Sequence, residues 1–479
     1  MSSFFDRNNI KNILLNFLGI GLKVLRPLYL IVFARVLGIE LYGIYVLIYV
    51  ISEIFSKLTT LGMGGGLMHL LEDLQVEYQQ YKPMLIYFIA CFSFCWSVLL
   101  CVLVYFCLNQ FGDVLGINAD LQKYIIYYLP VTPFFSVDIL FLNSLRNTMK
   151  IKYEVFNSSL VIPGIVFILG YILSKYFGLI GIIYAHLVSY IVSCLLYMYF
   201  IHISYGPLKV QINILQEIDW KKFRSNSLYF MGIRSLNLLK HHLDTLVIGY
   251  YLSFREIALY SVVIEISTVI RKVRMGLEPM LMPYIKKVGY HTKRYGDEVR
   301  SLLYFMSMCS LILVLGLCFY ADFWFQLFGS SFKADSWVLI FLALSQYMFA
   351  VFGVLEIALY MYGESRAAFE QNVLMLVLNL VFTLLLIHPY GIYGAAFSTL
   401  LATIITSMVT LKRHHTVTQI HVFDLTFFGH VLLAIGAIGF YKTMHISSNK
   451  GIISHTYAIF FIGLFVYGFY KRVMLQRKA

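Results

Sequence analysis

Runs of apolar residues about as long as a membrane-spanning helix recur along the whole chain, separated by short polar segments. A helix needs about 20 mostly apolar residues to cross the hydrocarbon core of a bilayer. About fourteen runs satisfy this condition. They centre on 12–34, 42–66, 84–108, 122–146, 153–175, 178–201, 226–250, 257–282, 300–321, 336–360, 368–388, 391–411, 424–443 and 453–471. The pattern predicts an all-α polytopic membrane protein with about 14 transmembrane helices, covered by the lipid bilayer.

Composition supports this class and excludes several others. Hydrophobic residues make up 60% of the 479 positions, charged residues only 13%, and the mean hydropathy is +0.78. A soluble chain of this size needs far more polar surface to cover its core. We therefore exclude an ordinary cytosolic enzyme, a disordered protein and a secreted module. The seven cysteines lie in apolar runs without a metal-ligand pattern, so we expect no metal and no cofactor.

The distribution of Lys and Arg among the short loops predicts the orientation. With fourteen spans, both termini lie on the side of the even-numbered loops, which hold about 22 of the 37 basic residues, Arg146 among them. The odd-numbered loops hold about 7. Both termini are therefore predicted to be cytoplasmic, although Glu72, Asp73 and Glu77 make one cytoplasmic loop acidic. The net charge of +13 mostly reflects this orientation, and we expect no nucleic-acid partner.

An internal repeat divides the chain. A shift of 215 residues, without gaps, places Ala34–Tyr45 on Gly249–Tyr260, and a shift of 213 places Gly178–Gly181 on Gly391–Gly394. The identical pairs under the first shift include Leu37 with Leu252, Tyr45 with Tyr260, Ser52 with Ser267, and Lys57 with Lys272. Six spans separate the copies, so both copies have the same orientation in the membrane, as in many secondary transporters.

The repeat predicts two pseudo-symmetric six-helix lobes around a central cavity, plus two C-terminal helices. The polar segment between the lobes contains residues 213–223, which we interpret as an interfacial amphipathic helix. The predicted domains are an N-terminal lobe (1–203), a cytoplasmic interfacial linker (204–225), a C-terminal lobe (226–411), and two further helices with a basic tail (412–479).

Eight basic residues lie inside predicted spans, where each costs about 2.5–3.5 kcal/mol even on a lenient scale. All eight are in spans one, two, seven and eight, the first two helices of each repeat: Lys23, Arg26, Lys57, Arg234, Lys240, Arg271, Lys272 and Arg274. Helical spacing places several of them on polar faces. On span one this face contains Asn12, Asn16, Gly19, Lys23 and Arg26, and on span seven Arg234, Asn237, His241 and Asp244. We expect a central cationic chamber.

Acidic residues are fewer in these spans, and two readings of them stay open. Three pairs at i,i+4 spacing could simply neutralise each other: Glu53 with Lys57, Lys240 with Asp244, and Arg274 with Glu278. Even so, cations remain in excess, which indicates an anionic ligand such as phosphate or pyrophosphate. Coupling to H⁺ or Na⁺ could involve His241, Asp244, Glu265 or Glu278. Asp138 and Glu356 are lone acids, either ion sites or packing residues.

Gly64–Gly66 could suggest a phosphate-binding loop, but it follows no strand and lacks the Lys-Ser/Thr of that motif. We interpret it as a flexible helix end.

Three short motifs resemble polysaccharide (O-antigen, Wzx-type) flippases of the multidrug/oligosaccharidyl-lipid/polysaccharide (MOP) exporter superfamily. These are Ala34–Tyr45, Asp244–Gly249 and Gly391–Ala396. The resemblance implies alternating access by two six-helix lobes in the bacterial inner membrane. It also implies a substrate, an undecaprenyl-diphosphate-linked oligosaccharide repeat unit that moves from the cytoplasmic to the outer leaflet. By span and depth, Lys23, Arg26, Lys57, Arg271 and Lys272 occupy places comparable with the cavity cations of related lipid II flippases.

We therefore expect a flippase for O-antigen, capsule or exopolysaccharide synthesis, not an enzyme. A polymerase and glycosyltransferases of the same pathway are possible partners. One alternative is a multidrug-type exporter of the same superfamily, whose cationic drugs would favour acidic residues in the cavity. Another is a membrane polysaccharide polymerase or glycosyltransferase, which would generally need a catalytic loop larger than any in this sequence.

Overall fold

The computed structural model describes residues 25–112, 118–148, 151–211, 213–288 and 293–422, with isolated positions at 21, 432, 434, 436, 438, 439 and 463. The predicted spans at 424–443 and 453–471 lie outside the described helices. Lys23 and the polar positions before it on span one lie outside the described residues too. In the part of the chain that is described, regular structure is entirely helical, which confirms the predicted all-α class.

The chain divides into two compact units, one within Leu22–Leu246 and the other containing Val247–Ala479. The first unit contains, in chain order, α1 (Leu25–Thr60), α2 (Met63–Asp73), α3 (Lys82–Phe111), α4 (Ala119–Tyr128), α5 (Val131–Arg146), α6 (Ile151–Phe156), α7 (Ile162–Phe177), α8 (Leu179–Tyr205), α9 (Ile214–Glu217) and most of α10 (Trp220–Tyr251). The second contains the end of α10, α11 (Phe254–Val288), α12 (Lys293–Phe319), α13 (Ala321–Phe328), α14 (Ser336–Met361) and α15 (Ser365–Thr418). The lobes predicted from the repeat, 1–203 and 226–411, stay a prediction.

Seven of the described helical segments are long and apolar enough to cross a membrane, and α4 with α5 makes an eighth if that pair, bent by 49°, is one span. Two of the seven, α1 and the apolar part of α15, each cover two predicted spans. The predicted spans seven and eight lie in α10 and α11, which are 32 and 35 residues long and rich in charged residues. The predicted count of about fourteen is therefore roughly consistent with the described helices.

Helix breaks occur at equivalent places in the two copies of the repeat. Within α1 the chain turns at Gly38, whose φ is 75°, a value at which a Cβ would be strained. The residue 215 positions later is Ser253, and there the chain leaves α10 and enters α11. Beyond each break, Tyr45 and Tyr260 are buried. The repeat inferred from sequence thus corresponds to a repeated helix–break–helix structure.

The second pair of repeated motifs has nearly identical backbone geometry. Gly178 separates α7 from α8 with φ 57° and ψ −133°, and Gly391 interrupts α15 with φ 53° and ψ −133°. Three residues after each break, a Cβ on Gly181 or Gly394 would overlap a backbone carbonyl of the preceding helix. Glycine is required at both turns for the same two reasons, backbone angle and close approach.

The linker differs from its prediction. The sequence 213–223 was expected to form one amphipathic helix, but α9 ends at Glu217 and the chain is extended at Ile218. The long helix α10 begins at Trp220, and the Asp219 side chain accepts a hydrogen bond from the Lys222 amide at 2.9 Å. An Asp that caps a helix start in this way favours a new helix over continuation of the old one. The amphipathic pattern therefore covers two helices.

Candidate functional site

A cavity of about 180 Å³ in the first unit collects three basic side chains. Lys57 comes from α1, Arg146 from the end of α5, and Arg234 from α10. The remaining lining residues are Thr60, Gly62, Gly64, Ile139, Leu142, Asn143, Phe230 and Met231. Among the residues that the structure describes, no acidic side chain lines this cavity. A site with this balance of charge attracts an anion, and Arg with Lys suits phosphate groups.

Lys57 has no carboxylate partner at salt-bridge distance within the described part of the chain. The expected i,i+4 partner, Glu53, lies instead beside His242 of α10, with 3.4 Å between Glu53 Oε2 and His242 Nε2. The described residues therefore contain no Glu53–Lys57 salt bridge, although the two charges still interact electrostatically. The side chain of Lys57 is half-buried and remains directed to the cavity.

Arg234 is exposed on α10, and its guanidinium lies 4.9 Å from the centre of the Phe230 ring. In the described part of the chain it also makes no salt bridge. Arg234, Asn237 and His241 are all exposed, as expected for one polar face of α10, whereas Asp244 at the next position of that face is buried. Lys240 of the same helix is half-buried and does not line the cavity.

Arg146 is the cavity residue that sequence reasoning missed, because its position after span four placed it among the loop cations. Two hydrogen bonds connect its guanidinium to Glu154, from Nε to Oε2 at 2.9 Å and from Nη2 to Oε1 at 2.6 Å. This pairing fixes the guanidinium at the cavity wall. Arg146 follows Asn143 by three residues on α5, and this spacing places both side chains on one face of the helix. That spacing was the sequence signal that could have assigned Arg146 to the site.

The glycine run before and within α2 forms part of the cavity wall. Gly62 precedes α2 with φ 68°, and a Cβ there would overlap Ser227 and Met231 of α10. A Cβ on Gly64 would clash with Asn143. Gly64–Gly66 is thus a closely packed first turn, and its interpretation as a flexible helix end is wrong. No side chain caps this helix start, so its amide groups add positive potential to the wall.

Arg26 lies near the start of α1, and its guanidinium is 5.4 Å from the centre of the Tyr49 ring. It is exposed and belongs to the same unit as Lys57 and Arg234, but it does not line the cavity. Lys23, the other predicted cation of span one, lies outside the described residues.

In the second unit, the cation Arg274 has carboxylate partners. Arg274 on α11 lies 3.9 Å from Glu278 and 3.7 Å from Glu356 of α14. Arg274 also donates a hydrogen bond to the Phe349 carbonyl at 3.4 Å. Its guanidinium lies so close to Gly353 that a Cβ at that position would overlap it. The predicted pairing of Arg274 with Glu278 is confirmed. Glu356 is therefore not a lone acid, contrary to the expectation from sequence.

The other predicted residues of α11, Arg271, Lys272 and Glu265, are half-buried. No group of three or more His, Cys, Asp or Glu side chains that could hold a metal ion occurs among the residues that the structure describes. We take the cavity lined by Lys57, Arg146 and Arg234 as the candidate functional site, because it brings three basic side chains together.

Comparison with solved structures shows the fold. The chain superimposes on the lipid II flippase MurJ in an inward closed conformation with a TM-score of 0.75 and 16% identity, over 96% of this chain and 100% of that one. An inward-facing multidrug resistance MATE family transporter of the MOP superfamily gives 0.67 and 16%, over 83% and 94%. A MOP superfamily transporter from Pyrococcus furiosus, described as having a binding pocket of reverse polarity, gives 0.57 and 13%, over 86% and 95%. All three are transporters or flippases, not enzymes.

Comparison of sequences identifies the family. A probable low-salt glycan biosynthesis flippase of Haloferax volcanii, Agl15, is 23% identical over 172 residues. That match covers 35% of this chain, and this chain spans about a third, 36%, of the relative's length. The family model described as polysaccharide biosynthesis protein matches residues 10–288, more than half of the chain. The chain therefore belongs to the polysaccharide biosynthesis protein family.

Proposed function

We propose that the protein is a flippase that moves a lipid-linked glycan across the membrane by alternating access. The observation that carries this proposal is the cavity of Lys57, Arg146 and Arg234, where the described lining residues include three cations and no carboxylate. A glycan on a diphosphate carrier presents a compact anion that such a cavity can hold. The sugars would cross in water, and the prenyl chain would stay in lipid.

The three side chains suit a diphosphate in complementary ways. Arg presents a planar fork that binds two phosphate oxygens at once, whereas Lys acts as a point charge. Lys57 and Arg234 lack carboxylate partners in the described part of the chain, so no ion pair has to break before they bind. Arg146 is held by Glu154 and would contribute its outward-facing donors.

The finer identity of the substrate rests on family resemblance and stays part of the proposal. The substrate would be an undecaprenyl-diphosphate-linked repeat unit for O-antigen, capsule or exopolysaccharide synthesis. The printed names of the relatives support this class, since they include a lipid II flippase and a glycan biosynthesis flippase. The protein would lie in the inner membrane with both termini cytoplasmic, and it would work beside a polymerase and glycosyltransferases.

The predicted cations of α11, Arg271 and Lys272, together with Lys23, Arg26 and Lys240, would extend the binding surface beyond the cavity. Arg274 is the weakest member of the predicted set, because two carboxylates already balance its charge. Coupling to H⁺ or Na⁺ through His241, Asp244, Glu265 or Glu278 stays a prediction.

A multidrug exporter is the alternative within the same fold. Cationic drugs are attracted by acidic cavities, and the cavity of the first unit has the opposite charge. A polymerase or glycosyltransferase is disfavoured because the matched fold neighbours are transporters and flippases.

The test uses a strain that lacks the gene and carries Lys57→Ala, Arg234→Ala or both. Losing one charge-assisted hydrogen bond costs about 1.5–3 kcal/mol, so each single variant should weaken substrate binding about 10- to 150-fold. Lipid-linked single repeat units should accumulate on the cytoplasmic face, measured by labelling intact cells against lysed cells. Lys221→Ala, an exposed cation at the start of α10, is the matched control.

Wild-type export by the double variant at normal membrane abundance would contradict the proposal. Accumulation of repeat units on the outer face would indicate polymerisation as the blocked step.

A further inference from the structure

A second cavity lies in the first unit, where the segment from α9 to the start of α10 packs against the end of α2. Its volume of about 280 Å³ is close to the lower end of the range for small-molecule sites, roughly 300–1,000 Å³. The lining residues come from α2, the 3₁₀ helix Val76–Tyr81, α9 and the start of α10. They are all different from the lining residues of the cavity described above, which we call the cationic cavity. We call the second one the linker cavity.

Contacts between the segments around the linker cavity fix its walls. Ile218, between α9 and α10, is buried in a small apolar cluster against which Leu70 and Leu74 pack. The Lys222 ammonium donates a hydrogen bond to the Asp73 carboxylate at 2.8 Å, which joins the start of α10 to the end of α2. The cavity is therefore formed by the protein's own contacts, as most small-molecule sites are.

Several polar side chains of the linker cavity are available to a ligand. In the described part of the chain, the side chains of Gln75, Tyr78, Glu217 and Asn226 make no hydrogen bond or ion pair with another residue. They supply two amides, a phenol and a carboxylate, so donors and acceptors line the same space. Each hydroxyl of a sugar both donates and accepts. A sugar ring also has an apolar C–H face, which suits the half-buried ring of Phe223 in the same wall.

Charge distinguishes the linker cavity from the cationic cavity. The described residues that line the linker cavity include three carboxylates, Asp73, Glu217 and Asp219, and one ammonium group, that of Lys222. The Lys222 ammonium is already paired with Asp73, which leaves two carboxylates in excess. A site of this charge repels a diphosphate. A neutral sugar carries no charge and meets no such repulsion.

The two cavities are neighbours on the same pair of helices. On α2, Gly64 lines the cationic cavity and Gly66 lines the linker cavity. On α10, Asn226 lines the linker cavity, and Arg234, eight residues later, lines the cationic one. Eight residues of α-helix rise about 12 Å. A short chain of sugars attached to a diphosphate covers such a distance, and its two parts differ in charge as the two cavities do.

We propose that the linker cavity binds a neutral sugar of the glycan through Tyr78, Glu217 and Asn226. The segment between α8 and α10 is predicted to be cytoplasmic, the side from which a lipid-linked glycan would enter. The role of this site in glycan export rests on the proposed flippase function, whereas sugar binding itself can be measured without it. The site adds recognition of the sugar to the binding of the diphosphate by the cationic cavity.

The experiment uses the purified full chain in lipid nanodiscs at low ionic strength, where charge effects at exposed groups are least screened. Saturation-transfer difference NMR measures the binding of free glucose, galactose, N-acetylglucosamine and glucuronic acid. At least one of the three neutral sugars should bind. Glucuronic acid should bind more weakly than glucose, because its additional carboxylate is repelled by Glu217 and Asp219. Pyrophosphate, followed by ³¹P NMR, is the separate probe of the cationic cavity.

Variants locate the sugar site. Glu217→Ala removes a charged acceptor and should weaken the binding of the neutral sugar about 10-fold or more, and Tyr78→Phe, which keeps the ring, about 2- to 10-fold. Glu77→Gln is the matched control, because Glu77 is exposed on the same 3₁₀ helix as Tyr78 and does not line the cavity. This control should keep the wild-type affinity.

The two probes separate this proposal from the proposed function. Lys57→Ala with Arg234→Ala should abolish the binding of pyrophosphate and leave the binding of the sugar unchanged, whereas Glu217→Ala should do the reverse. A wild-type protein that binds a sugar but no pyrophosphate contradicts the proposed function and not the sugar site. The sugar site is overturned if none of the neutral sugars binds, if glucuronic acid binds as tightly as glucose, or if Glu217→Ala and Tyr78→Phe both keep the wild-type affinity.

Discussion

The two units carry related helices but differ in whether a cation of those helices has carboxylate partners. In the first unit, Lys57 and Arg234 face a cavity without carboxylate partners in the described part of the chain. In the second, Arg274 is held by Glu278 and Glu356. A paired cation stabilises its surroundings, whereas an unpaired one raises the energy of the unliganded protein and is available to a ligand. If the proposed function is correct, the contrast distinguishes a cation held by carboxylates from cations that are available to the anionic group of the substrate.

The largest expected effect tests this contrast directly. Arg274→Gln leaves two carboxylates without their cation, so the free energy of unfolding should fall by about 2–4 kcal/mol, less than for a fully buried pair because Glu356 is 29% exposed. Lys57→Gln should leave stability unchanged or raise it. Thermal unfolding of both purified variants measures the difference. Equal destabilisation by the two substitutions would show that Lys57 is also a structural cation.

A second prediction tests what the units share. Gly178→Ala and Gly391→Ala each place a Cβ at a backbone conformation that costs about 1–3 kcal/mol for other residues. Since φ and ψ agree closely at the two sites, both variants should lose stability by a similar amount. Gly164→Ala, at a helical glycine with open space around it, is the control and should be neutral or stabilising. A loss confined to one variant would break the equivalence of the two turns.

The smallest expected effect concerns a surface contact of the first unit. The hydrogen bond and charge of Asp73, 2.8 Å from Lys222 Nζ, raise the pKa of Lys222 above its ordinary value of 10.5. The ammonium form is therefore favoured up to a higher pH than usual. Because only the neutral amine reacts, acetylation of Lys222 should be slower than in Asp73→Asn. Mass spectrometry at pH 9 to 10 measures this, with Lys221 as the internal reference, and equal rates would refute the contact.

The Lys222–Asp73 pair also explains why an acidic loop lies on the side predicted to be cytoplasmic. Asp73 ends α2, and the basic start of α10 compensates its charge. Glu72 similarly lies 3.8 Å from His69. The charge of Asp73 is compensated by Lys222, so this residue does not argue against the predicted orientation.

The fold class and the repeat could be predicted because they depend on patterns that persist over many residues. Apolar runs of about 20 residues and a shared repeat offset can be recognised even when single positions are misread. The matching backbone angles at Gly178 and Gly391 agree with that repeat offset. The restriction of the eight cations inside predicted spans to spans one, two, seven and eight was readable in the same way. These features are properties of one helix or of two aligned segments.

Partners between helices could not be predicted, because the sequence does not say which faces meet. Glu53 was a possible i,i+4 partner of Lys57 on its own helix, but its carboxylate lies at salt-bridge distance from His242. Glu356 was taken as a lone acid, although it lies at salt-bridge distance from Arg274, which is some 80 residues earlier in the chain. Arg146 was counted as a loop cation because it follows an apolar run, yet α5 extends far enough to bring it to the cavity.

The two glycine turns have a practical consequence for experiments on topology. At Gly178 and Gly391 a single residue separates consecutive helical segments, and the glycine three residues later allows no side chain. An epitope or a fluorescent fusion inserted at either turn would change the backbone angles at the glycine and the close approach of the two helices three residues later. The segment between α8 and α9, at residues 206–211, is mostly exposed and outside regular helix, so a tag should be tolerated there. Reporter insertions that map sidedness are best placed in this segment.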